Sequence, residues 1–191
     1  EALKLKKKYK TARDKLFNSL IINNDGFIFN NHHTKLVDDI VREIVKNIIK
    51  EYSIDDFALI AVGGYGRNDL SPKSDVDLLF LYKKSNKNIK NFITTLNNNL
   101  WDVGLEVGIS FLTLKQVIID SKKDIKTVTK FAESRHLIGD EDYYGEFVRS
   151  IKILIGRLNP LKLSEKKLLE LVERHDYYLG IKSNLEPQIK E

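Results

Sequence analysis

An α/β (α+β) fold is predicted for this chain: a small mixed sheet of three to five strands flanked by helices, with a helical C-terminal extension. Three observations predict it. The apolar runs 57–62 and 76–82 are hydrophobic enough to be strands covered on both faces. Apolar residues recur at helical spacing before and after them. Between the two runs lies a glycine-rich turn, Gly63-Gly64-Tyr65-Gly66.

The elements follow in order. Residues 2–22 read as a helix, with Ala2, Leu5, Tyr9, Ala12, Leu16 and Leu20 on one face, broken by Asn23-Asn24-Asp25-Gly26. Residues 34–52 read as a second, its buried face marked by Leu36, Val37, Ile40, Val41, Ile44, Val45 and Ile48. After the two strands, residues 87–103 form a helix that stops at Gly104. Leu105 to Leu112 reads as a third strand. The remainder reads as helical, over about 114–121, 124–136, 143–157 and 164–180, with Asn159-Pro160 between the last two. There is no internal repeat. The implied division is an N-terminal helical segment over 1–55, a core over 56–122 and a helical extension over 123–191.

Composition narrows the function. At 191 residues and 42% hydrophobic, the chain can bury a core, and no apolar run approaches membrane-spanning length. A membrane partner is not expected. The absence of cysteine excludes disulfides and thiolate metal sites. With no apolar leader behind the lysine-rich start, a cytoplasmic location is expected. With no methionine, even at position 1, the sequence is expected to be an excised domain rather than to start at a native N-terminus. The net charge of +5 is local: residues 1–15 hold seven of the 32 Lys and Arg but two of the 27 acids, leaving 25 of each sign elsewhere. Those lysines occupy the wet face of the first helix, so nucleic acid is not expected as a partner.

The chemistry lies in Gly63-Gly64-Tyr65-Gly66-Arg67-Asn68-Asp69-Leu70-Ser71-Pro72-Lys73-Ser74-Asp75-Val76-Asp77. A glycine turn after a buried strand brings bare backbone N–H groups close to a phosphate. Asp75 and Asp77, two apart on a strand, face the same way with Cα atoms roughly 6.6 Å apart, so both carboxylates can serve a pair of divalent cations. Val76, Leu78, Leu79 and Phe80 make that strand central, where an unpaired acid is costly. The turn is neither a P-loop nor a Rossmann fingerprint. Arg67 suits a nucleotide phosphate but equally a salt bridge to Asp69, and Ser74 suits a phosphate or a turn cap.

This run resembles the signature of polymerase-β-like nucleotidyltransferases and, within them, the bacterial protein-PII uridylyltransferase/uridylyl-removing family. The resemblance continues through Leu100-Trp101-Asp102-Val103-Gly104-Leu105-Glu106-Val107-Gly108. It returns at Glu133-Ser134-Arg135-His136-Leu137-Ile138-Gly139-Asp140 and at Asn184-Leu185-Glu186-Pro187-Gln188-Ile189-Lys190, so it covers about residues 57–191. It implies a nucleotidyltransferase fold, two Mg2+ ions (or Mn2+) at Asp75 and Asp77, and a third carboxylate. Glu106, a lone acid between apolar neighbours, is preferred for that place over Asp102, which sits beside Trp101 near a helix end. It assigns Gly63, Gly64, Arg67 and Ser74 to the nucleotide, and brings Asn184, Glu186 and Lys190 toward nucleotide or acceptor.

The implied reaction is transfer of UMP from UTP to a tyrosine of PII, with release of pyrophosphate. The alternatives are another nucleotide or acceptor, as in adenylylation, and a degenerate nucleotide-binding module. His175-Asp176 suggests the phosphohydrolase that full-length members also carry, but only His32, His33 and His136 remain to complete such a site. The sequence departs from the family at Asn68 (usually glycine), Asp69 (usually glutamate), Ile109 and Leu112 (commonly histidine and arginine).

Overall fold

A computed structural model describes residues 2–23, 25–71, 74–84, 87–161, 164–165 and 168–169. Two long helices come first, α1 (Ala2–Asn23) and α2 (Gly26–Tyr52). The break falls where the sequence puts it, but the chain turns helical again at once, because the Asp25 carboxylate caps the Ile28 N–H at 3.0 Å. The second helix therefore starts eight residues earlier than its apolar pattern indicates. Leu5 and Tyr9 of α1 are buried against α2, while Lys4, Lys6, Lys7, Lys8 and Lys10 are exposed.

The sheet is mixed and four-stranded, with order β3-β2-β1-β4. Strand β1 (Phe57–Val62) leads into a single helical turn, α3 (Gly63–Gly66), and on to β2 (Val76–Tyr82). These strands pair antiparallel, with Leu59 opposite Phe80 and Ala61 opposite Leu78. Helix α4 (Lys87–Val103) crosses over to β3 (Val107–Leu112), which lies parallel to β2. This crossover makes the sheet mixed. The third strand thus begins at Val107, leaving Leu105 and Glu106 in the approach to it.

Beyond β3 come α5 (Leu114–Lys123), α6 (Ile125–Ala132), β4 (Ser134–Gly139) and α7 (Glu141–Gly156). Here the sequence reading needs correcting. The helix expected over 124–136 stops at Ala132, and β4 follows and pairs antiparallel with β1. The final strand of the sheet thus comes from the stretch taken as a helical extension. The helix expected over 164–180 lies almost wholly outside the described residues.

Alternation along β1 and β2 divides the core in two. Leu59, Ala61, Val76, Leu78 and Phe80 pack with Val37, Ile44, Phe92 and Leu96 from α2 and α4. Ala58, Ile60, Val62, Leu79 and Leu81 face Val117, Val128, Phe131 and Phe147 from α5, α6 and α7. Helices therefore cover both faces, and Asp77 shares its face with Leu79 and Leu81. No described helix is long and apolar enough to cross a membrane.

Candidate active site

The β1–β2 connection is shaped by two backbone constraints. Gly63 sits at φ +62, a region side chains rarely adopt. Gly66 has no room for one, because a Cβ would lie 2.1 Å from the Glu133 carbonyl oxygen and 2.9 Å from that of Ala61. The turn closes through Arg67 N–H to Gly63 O at 3.1 Å and Asp69 N–H to Gly64 O at 3.0 Å. Val62, the residue before α3, provides no side-chain cap. Asn68 also has a positive φ, 62. Its departure from the family's glycine is therefore mild, since asparagine tolerates this conformation better than most side chains.

Asp75 lies one residue before β2 rather than on it and is exposed, whereas Asp77 is on the strand and half-buried. Glycines bracket the Asp77 carboxylate: a Cβ on Gly63 would stand 3.5 Å from Oδ2, and one on Gly108 3.1 Å from Oδ1. Gly108 is the parallel partner of Asp77 across β2–β3. Glu106 lies just ahead of β3, two residues before Gly108, and is exposed between buried Leu105 and half-buried Val107. The Glu106 carbonyl accepts the Val76 N–H at 2.7 Å, tying its backbone to the start of β2. Asp102 is exposed near the end of α4.

The donor set is all carboxylate oxygen, which suits magnesium or manganese rather than a softer metal. Among the described residues no group of three or more metal-ligating side chains gathers at one point. Glu106 therefore does not close a three-ligand cluster with Asp75 and Asp77. The fit is to an ion that takes one or two carboxylates and draws the rest of its shell from substrate phosphates, as magnesium commonly does.

Several site contacts were not foreseen. Lys130 of α6 donates to Asp77 Oδ1 at 2.7 Å. Arg67 pairs with Glu133, not with Asp69, which instead accepts from the Asn30 amide at 2.8 Å. Beneath the turn lies a buried network: the Tyr65 hydroxyl donates to Asp38 at 2.7 Å, and Arg135 of β4 reaches both Asp38 oxygens. Burial, with the Asp38 charge next in weight, holds the Tyr65 phenol well above its ordinary pKa. Glu133 and Arg135 lie in a run that carried the family resemblance, but Lys130 and Asp38 stand in no motif. Ser74 is exposed, and its N–H closes a turn onto Ser71 O at 3.1 Å. Asn184, Glu186, Lys190 and His175-Asp176 lie outside the described residues.

A β-strand, glycine turn and acid-bearing strand in this arrangement define a nucleotidyltransferase. The nucleotidyltransferase domain model matches residues 41–142, and the chain belongs to that family. It is 36% identical over 138 residues to a bifunctional uridylyltransferase/uridylyl-removing enzyme of Ralstonia nicotianae, covering 72% of this chain and 16% of that protein. To the enzyme of the same name from Nitrosospira multiformis it is 31% identical over 194 residues, covering 98% and 21%. To that of Zymomonas mobilis it is 38% identical over 146 residues, covering 74% and 15%. The chain thus spans about a fifth or less of the length of these relatives. A toxin–antitoxin crystal structure with AMP-PNP aligns with 69% of this chain and 97% of that one at a TM-score of 0.39 and 15% identity, too weak a likeness to add anything.

Proposed function

We propose that this domain transfers UMP from UTP to a tyrosine of the PII nitrogen-signalling protein and releases pyrophosphate. The observation that carries the reading is the adjacency of turn and acid: the space left by Gly63 opens 3.5 Å from the Asp77 carboxylate. A triphosphate on the turn would lie beside the acids that manage its charge. The choice of UTP and PII comes from the relatives' naming as uridylyltransferases and from the family resemblance.

Two Mg2+ ions, with Mn2+ as a substitute, would be held by Asp75, Asp77 and Glu106. When bound, they neutralise phosphate charge and activate the attacking hydroxyl. The protein's own part is positioning. The N–H groups of Gly63 and Gly64, at the start of a turn with no side-chain cap, would meet phosphate oxygens. Arg67 is exposed, so it can trade Glu133 for a phosphate that its fork matches better. Ser74 would donate its hydroxyl to the same group. Asn184, Glu186 and Lys190 are assigned to the acceptor or nucleotide by resemblance alone.

Calorimetric titration of UTP, CTP, ATP and GTP with and without magnesium tests this, followed by labelled UMP transfer to PII. UTP should bind with magnesium and fail without it, with transfer weak in this domain alone. Tighter binding of ATP than UTP would move the reading to adenylylation. Binding of no nucleotide would leave a non-catalytic module.

A further inference from the structure

We infer that Lys130 belongs to the nucleotide site as a resident cation, holding Asp77 until a divalent ion takes that carboxylate and then engaging the triphosphate. This rests on the nucleotidyl-transfer reading above. The ammonium lies 2.7 Å from Asp77 Oδ1, and the two side chains are 37% and 34% exposed, open to exchange with ions from solvent.

The origin of the side chain is fixed. Val128 and Phe131 anchor α6 in the core, and the Glu133 carbonyl just beyond the helix abuts Gly66. Lys130 Cγ consequently lies 3.8 Å from where a Gly63 Cβ would stand. The stem runs along the phosphate turn while the charge rests on the acid. One side chain spans the two halves of the site.

The charges indicate what it does there. Asp75 and Glu106 stand one residue before the parallel strands β2 and β3, at the same end of the sheet as Asp77, while Arg67 is engaged by Glu133. A triphosphate adds negative charge where it is already in excess. A divalent ion at Asp77 repels the ammonium, and phosphate oxygens beside Gly63 attract it. The move needs only rotation of a flexible stem ending in a point charge. A half-exposed ion pair adds little to stability, so a purely structural role explains little of this placement.

The test measures Mn2+ binding without nucleotide, by electron paramagnetic resonance, and then UTP binding at saturating Mn2+. It compares the parent chain with Lys130→Met and Lys130→Arg, with thermal melts checking that each is folded. Lys130→Met should bind Mn2+ about fivefold more tightly, having lost its internal competitor. It should bind UTP at least about tenfold more weakly, having lost a charged donor to phosphate. Lys130→Arg should keep UTP affinity near the parent's. The opposed signs distinguish this role from a structural one, which would weaken both. Either affinity of Lys130→Met staying at the parent's value, or both falling together, overturns the inference and leaves the transferase reading standing. A parent chain that binds neither Mn2+ nor UTP overturns both.

Discussion

Arg135 grips Asp38 with both terminal guanidinium nitrogens, at 2.6 and 3.0 Å, across 97 residues of sequence. Asp38 also accepts from the Tyr65 hydroxyl, and its side chain is only 8% exposed. One carboxylate thereby joins α2, the glycine turn and β4. A buried, bidentate arrangement of this kind is stable only while every member is present.

Removing the carboxylate should therefore be severe. Asp38→Ala leaves the half-buried Arg135 guanidinium and the buried Tyr65 hydroxyl without their shared acceptor and should cost about 3–5 kcal/mol. Tyr65→Phe removes one hydrogen bond to a charged group and should cost about 1.5–3 kcal/mol. Urea denaturation measures both. Equal, small losses would mean that the network is better hydrated than its burial implies.

Asp75→Asn and Asp77→Asn should abolish nucleotidyl transfer while leaving the fold intact. Asp77→Asn gives up an exposed-side ion pair with Lys130, so stability should shift by no more than about 1 kcal/mol. Chelation with EDTA should leave the melting temperature unchanged or slightly lowered, since an ion held only by the folded state stabilises it in proportion to its occupancy. An active Asp77→Asn protein would remove the metal site from consideration.

Glu106 and Asp102 can be ranked against each other. If Glu106 acts in the transition state, Glu106→Gln should lower turnover by roughly a hundredfold or more with little change in nucleotide affinity. Asp102→Asn, near the end of α4, should stay within a few-fold of the parent by the same kinetic comparison. The reverse order would identify the other carboxylate.

Stability should fall on mild acidification. Burial lowers the pKa of His33 and of His136 from the ordinary 6.5. His33 is held between the Tyr9 hydroxyl at 3.3 Å and the Leu70 carbonyl at 3.1 Å. As pH drops through 6.5 the unfolded chain takes up protons that the folded one resists, so this stability is whole above 6.5 and declines below it. His33→Gln should flatten the slope of unfolding free energy between about pH 7 and 5.5. An unchanged slope would assign the acid sensitivity to other groups.

What could be read from the sequence depended on how locally each feature is encoded. β1, β2 and α4 announce themselves because burial on both faces of a strand, or on one face of a helix, writes a short-range apolar pattern. Asp75 falls one residue before β2, where strand parity no longer applies, but the face of Asp77 follows from it in the same way. β4 does not, since Ser134-Arg135-His136 is polar and only half-buried, and becomes a strand by pairing with β1. The helical pattern of α6 simply ran on into it. Lys130 and Asp38 reach the glycine turn only through tertiary packing, and no spacing in the chain reveals which side chain will meet Asp77.

The close approach of Gly66 to the Glu133 carbonyl makes the glycine turn depend on a segment that is synthesised much later. The β1–β2 hairpin can pair as soon as it leaves the ribosome, because its contacts are near in sequence. Its connecting turn is moulded later, by a segment that reaches back from Glu133 to Arg67 across 66 residues. A nascent chain stalled before Ser134 would carry the glycines and both aspartates yet lack the strand that closes over the turn between them. The shape of that turn is complete only with the last strand at the edge of the sheet.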